Sequence, residues 1–181
     1  MKNANVILEG LTPLLVNRFH EAAQAEATAG VHLRHSDRPS PEDDARDRLY
    51  TLPDGGLYFP AENLRQAVIT ASGRQKIGRR SAATDVAAAI LIEPFAMPLT
   101  GAWEVDARPV VIPATRGRML RYRPIFASWS LEFTLSWDER LIDQRLVRQA
   151  LDDAGSYVGV GDFRPQRKGP YGRFQVVRWE V

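Results

Sequence analysis

The stretch Trp129-Ser-Leu-Glu-Phe-Thr-Leu-Ser-Trp137 alternates without a break. Successive side chains of an extended chain point to opposite faces, so Trp129, Leu131, Phe133, Leu135 and Trp137 share one face and Ser130, Glu132, Thr134 and Ser136 the other. This pattern predicts a strand with an aromatic face in the core, and it assigns Trp129, Phe133 and Trp137 to packing rather than to stacking on a ligand. The period then changes. Ile142, Leu146, Ala150 and Ala154 recur at four-residue spacing, the stripe of an amphipathic helix. Ser136 and Glu139 stand at capping-box spacing before it, and Gly155 is placed to stop it. Residues 174–181 (FQVVRWEV) read as a closing strand.

Working toward the N-terminus, residues 105–112 (VDARPVVI) read as a strand whose Pro109 makes it edge-like. Residues 82–92 fit either a helix or a buried strand, broken by Glu93-Pro94 and Met97-Pro98. Leu57-Tyr58-Phe59 predicts a short strand, and Pro60 suits the start of a helix, where its missing N–H costs nothing. Leu64, Val68 and Ala71 give that helix one apolar face, and Gly73 ends it. Residues 5–11 (NVILEGL) form an apolar run of strand length, punctuated by Thr12-Pro13. Residues 21–29 are Ala-rich and weakly helical. Between these, residues 30–47 (GVHLRHSDRPSPEDDARD) are almost wholly polar. A stretch so long inside a domain signals function or disorder, and a mobile insertion at 30–47 is expected in a single domain spanning 1–181. Glu42-Asp43-Asp44 should open a short helix after Pro41, where acids favour the positive helix end. The order is that of an α+β, ferredoxin-like β-α-β-β-α-β fold: an antiparallel sheet with two helices on one face and a polar insertion.

The chain has 181 residues, with 24 Lys+Arg, 22 Asp+Glu, three His and no Cys, for a formal net charge of +2. The absence of Cys excludes thiol catalysis, disulfides and Cys-ligated zinc. No apolar run approaches the roughly 20 residues of a membrane-spanning helix, and the first residues lack the apolar core of a secretory signal. A cytoplasmic protein without membrane, cofactor or metal is expected. The small net charge is a cancellation. Residues 74–80 carry Arg74, Lys76, Arg79 and Arg80; residues 116–123 carry Arg116, Arg118, Arg121 and Arg123; residues 164–173 carry Arg164, Arg167, Lys168 and Arg173. None of these windows holds an acid, so all 22 acids face the other twelve cations in the rest of the chain. The excess is almost all Arg, whose planar fork suits phosphate and base recognition. Solvated loops rich in charge are the plainer explanation.

The most informative segment is 155–173 (GSYVGVGDFRPQRKGPYGR). Glycine lets a backbone take positive φ and lie close to another chain. Arg and Lys neutralise phosphates, and Tyr157, Phe163 and Tyr171 offer rings on which unpaired bases stack. The segment is read as a surface for single-stranded nucleic acid, with a long loop covering a sheet edge as the alternative. Gly159-Val160-Gly161 is not a dinucleotide fingerprint, because it follows a helix rather than a strand and lacks the third glycine.

A Gly-rich, basic loop between the second helix and last strand of a ferredoxin-like unit resembles the RAMP superfamily, the CRISPR-associated RNA-binding and RNA-processing proteins. The resemblance implies binding of RNA or single-stranded DNA, often by subunits stacked along a strand. The opening Leu8-Glu9-Gly10-Leu11-Thr12-Pro13-Leu14-Leu15 and the ending Gly159-Val160-Gly161-Asp162-Phe163-Arg164-Pro165 with Gly172-Arg173-Phe174 are also similar to small uncharacterised phage and prophage proteins, which imply no particular function.

His20, His32 and His35 lack any recognised metal-ligand spacing. In a metal-independent ribonuclease, His20 beside Arg18, or His35 between Arg34 and Arg38, would serve as general acid or base; surface histidines are the plainer assignment. The adjacent pair Asp152-Asp153 points apart on a helix. The leading expectation is a non-catalytic protein that binds single-stranded nucleic acid, RNA ahead of DNA, and assembles with itself or partner subunits along the strand. Its ligands are the twelve cations above with Phe163 and Tyr171. A ribonuclease of the same fold and a phage or complex assembly protein without nucleic acid are the alternatives.

Overall fold

The computed structural model of the chain describes residues 1–19, 40–111 and 117–181. Within these residues it combines antiparallel sheets with four α-helices. All but the first residue of the alternating stretch 129–137 forms strand β10 (Ser130–Trp137), the centre of the larger sheet. Leu131, Phe133, Leu135 and Trp137 are buried, and Glu132 is exposed on the opposite face. One edge of β10 pairs with β1 (Lys2–Gly10), from Lys2↔Trp137 to Glu9↔Ser130. Its other edge pairs with β6 (Ile90–Glu93) and then β7 (Ala96–Thr100), two segments separated by the cis Glu93–Pro94 bond. Strand β11 (Phe174–Glu180) lies outside β1, with a bulge between Ile7 and Leu8, and β3 (Tyr58–Pro60) lies outside β7. The strand order is therefore β11, β1, β10, β6 with β7, and β3.

Two helices cover the buried face. Helix α2 (Ala61–Ser72) brings Leu64, Ala67, Val68 and Ala71 into the core and ends at Gly73, and α4 (Gln144–Asp153) brings Val147, Ala150 and Leu151. They pack on each other and on Val6, Leu8, Leu135 and Trp137 in one continuous core. Most of the sheet's stability comes from this apolar face leaving water.

A second, three-stranded sheet is built from β2 (Leu14–Leu15), β9 (Arg118–Phe126) and β8 (Trp103–Val111), in the order β2, β9, β8. Strand β8 is an edge, as Pro109 requires. Helix α1 (Pro41–Arg46), capped by Ser40, packs against this hairpin and buries Ala45. The acidic run at 42–44 thus opens a helix at the end of the polar insertion; the rest of that insertion, with the weakly helical 21–29, lies outside the described residues. Strands β4 (Lys76–Ile77) and β5 (Arg80–Ser81) form a small hairpin, and the ambiguous 82–92 segment divides into α3 (Ala83–Ala89) and β6.

Three local expectations are corrected. Ser136 remains in β10, and the helix is capped seven residues later, at Asp143, whose carboxylate accepts from Leu146 N at 2.8 Å. Gly155 does not stop α4: a wider turn (Ala154–Val158) carries the helix on to Gly159, at φ 70°. Gly155 instead lets the backbone meet Phe174, whose carbonyl oxygen a Cβ would overlap. Pro98 sits inside β7, opposite Tyr58, and breaks nothing.

Candidate nucleic-acid interface

Beyond Gly159 the Gly-rich segment is stitched to the β1–β2 turn. Val160 N donates to Gly172 O (2.9 Å), Asp162 N to Leu15 O (2.7 Å), Gly172 N to Pro13 O (2.8 Å) and Leu11 N to Arg173 O (2.8 Å). A short turn, Pro165–Arg167, forms its tip. Gly172 has φ +70°, and a Cβ there would be driven into the Val160 carbonyl. Glycine at this position is required by the chain's own packing.

The loop leans on the β8–β9 hairpin through charge. Arg123 on β9 reaches Asp162 at 2.6 Å, and the residue is only 8% exposed. Arg108 on β8 donates to the Tyr171 hydroxyl, lies 4.7 Å from that ring's centroid, and is held by Asp106 at 2.8 Å. Asn17 links Asp162 to Arg48 (3.3 and 3.1 Å), and buried Arg48 is ion-paired with Asp44 at 2.7 Å. Beside this network stands Arg121, half-buried and without an ion pair among the described residues. Burial, and next the charge of Arg48, pushes its guanidinium below the ordinary value. Arg164 is lowered likewise, by burial and then by Arg167. Each shift has burial as its first cause and a neighbouring guanidinium as its second, while Asp162 pulls both groups the other way.

These contacts bring the second and third basic windows together. Arg118, Arg167, Lys168 and Arg173 are exposed and make no ion pair among the described residues. Arg164 is tied to Gly161 O and Gln166, which shapes the loop. Phe163 is 42% exposed and 6.2 Å from the Tyr171 ring. Tyr171 already stacks with Arg108, so its ring and hydroxyl hold the loop to the hairpin. The first window is on the β4–β5 hairpin and touches the Gly-rich segment at its start, where Arg74 lies over Tyr157 at 4.1 Å. There Arg80 pairs with Asp85 at 3.1 Å, while Lys76 and Arg79 are exposed without an ion pair among the described residues. Arg116, His20, His32 and His35 lie outside the described residues.

Composition could not single out Arg48, Arg108, Asp162 or Asn17, since each acts through a partner distant in sequence. The open face of the large sheet was equally hidden. Strand register lines up Glu180, Asn5, Thr134 and Glu93 in one row, and Arg178, Ile7 and Glu132 in the next, with Glu9 beyond. Four Glu against one Arg make that face acidic. A cleft of about 190 Å³ opens between the β1–β2 region and the loop, lined by Val16, Asn17, Tyr50, Phe59, Asn63, Gly161, Asp162 and Arg164. Among the described residues no three His, Asp or Glu side chains are grouped to hold a metal ion, and no helix is long and apolar enough to cross a membrane.

No protein-family model and no curated protein matches the sequence. The structure is similar to a chain of the type III-B Cmr-β complex bound to cognate target RNA, at a TM-score of 0.57 and 11% identity, covering 99% of this chain. This chain spans 61% of the length of that one. At such identity the likeness is one of fold.

Proposed function

We propose that this protein binds single-stranded RNA as a RAMP-type, ferredoxin-like subunit of a larger assembly. The fold reading is supported by the strand order β11, β1, β10, β6/β7, in which the connection from β1 through α2 to β6 and that from β10 through α4 to β11 each reach a parallel strand over one intervening neighbour. The observation that carries the binding reading is the junction of two basic windows through Arg123–Asp162 and Arg108–Tyr171. It leaves Arg118, Arg121, Arg167, Lys168 and Arg173 without an ion pair among the described residues on the joined hairpin and loop, a surface suited to successive phosphates. Phe163 supplies an exposed ring for a base or sugar. The similar structure is a complex bound to cognate target RNA, which supports this reading.

The acidic open face favours a second role for the same charges, contact with neighbouring subunits. A basic loop face on one copy and an acidic sheet face on the next make a head-to-tail contact, so assembly accompanies binding in this reading. Anisotropy titrations of labelled single-stranded RNA, single-stranded DNA and duplex RNA between about 50 and 300 mM salt test the proposal, because each phosphate contact releases counterions. Tightest binding to single-stranded RNA, weakening steadily with salt, is expected. Affinity that is absent, or constant across that range, overturns it.

A further inference from the structure

The cleft beside the loop has the dimensions and chemistry of a pocket for one planar base. At about 190 Å³ it exceeds the share of several waters, each ~30 Å³, yet falls below the roughly 300 Å³ of sites for drug-sized ligands. Tyr50 and Phe59, with ring centroids 6.4 Å apart, give it an aromatic side, and Tyr50 also packs on Tyr58. Asn63 stands in the first turn of α2 and lines the cleft beside Tyr50. Across from them are Asn17, Asp162 and Arg164. Asn17 and Asp162 are already engaged with Arg48 and Arg123. The adaptable polar group is therefore exposed Asn63.

An aromatic wall and a side-chain amide are the elements by which proteins hold unstacked bases of single strands. The wall formed by Asp162 and Arg164 belongs to the same loop that carries Arg167 and Lys168. A strand whose phosphates run along those cations thus passes the mouth of the cleft. We infer that one nucleobase of the bound strand turns out of its stack into this cleft, against Tyr50, with its edge on the Asn63 amide. The inference rests on the RNA-binding reading above. It adds to that reading a site that distinguishes one base, where phosphate contacts alone carry no sequence information.

The test is a short RNA carrying a single 2-aminopurine, moved position by position, with the free 2-aminopurine ribonucleotide as a parallel arm. One position is expected to change fluorescence far more than its neighbours on binding. Asn63→Ala should abolish that difference and weaken binding of the strand by about tenfold, within the range of a good amide–base contact. Asn63 is exposed, so the variant should retain its circular dichroism. A response from the free nucleotide that Asn63→Ala also removes supports the cleft as a nucleobase site and makes a free nucleotide its occupant as well. A strand that binds with equal responses at every position, and unchanged by Asn63→Ala, overturns the inference while the RNA-binding reading stands. A strand that does not bind overturns both.

Discussion

Arg123 and Asp162 join β9 to the loop through a single 2.6 Å ion pair whose guanidinium side is almost fully buried. Removing one partner of a buried pair leaves an uncompensated charge, at a cost of ~3–5 kcal/mol when both groups are buried. The Asp162 side chain is 35% exposed, so solvent screens part of this; Asp162→Asn should cost about 2 kcal/mol in urea unfolding. The sequence marked Arg123 as one of four cations in an acid-free window. It carried no sign of depth or of a partner 39 residues away, and the side chain counted as a phosphate ligand is tied to Asp162 on the loop. Tyr50 offers a pH-dependent check on the neighbouring cleft. Burial raises its phenol above the ordinary value, so the folded state holds this proton more tightly than the unfolded chain. The associated stability is complete below the ordinary phenol range, near pH 10, and is lost as pH rises through the raised folded value. Wild-type protein should therefore lose more stability than Tyr50→Phe between about pH 9 and 11, read as the shift in urea midpoint.

Among the elements, β10 and α4 show what pattern alone can and cannot locate. Strand β10 was legible to within one residue, Trp129 lying just before it, because its alternation coincides with burial and each inward side chain meets the core. The start of α4 was not. Ser136 and Glu139 have the local spacing of a cap, but Ser136 is paired on both sides, with Asn3 on β1 and Leu91 on β6. Cross-strand pairing outweighs one capping hydrogen bond, and the chain runs on to Asp143. Asp143→Ala should accordingly cost about 1 kcal/mol, a fall of a few degrees in the thermal midpoint, whereas Ser136→Ala should leave the helix start unchanged. A larger loss from Ser136→Ala, with helix content reduced, would restore the sequence-based boundary. Of the β8–β9 hairpin only the first strand was read from the sequence, and the separate sheet it belongs to was not. The hairpin's pairing with Leu14 and Leu15 is a contact between distant segments that no local period encodes.

For the whole molecule, the cancelled net charge becomes a division between surfaces. Register places Glu9, Glu93, Glu132 and Glu180 on the open sheet face, while the Gly-rich loop and the hairpin gather Arg118, Arg121, Arg167, Lys168 and Arg173. The windows themselves were readable from composition. Their union was not, because Arg123–Asp162, Arg108–Tyr171 and the bonds from Leu11 to Leu15 create it only in the fold. The division also predicts a route for a bound strand: along the loop and hairpin, and not across the acidic sheet. The most direct test is the salt dependence of single-stranded RNA affinity for the wild type and for a variant combining Arg167→Ala, Lys168→Ala and Arg173→Ala. Each phosphate contact on a single strand contributes about 0.7 to the slope of log K against log salt, so the slope should fall by about 2 in magnitude. A variant that keeps the wild-type slope and affinity would contradict the account.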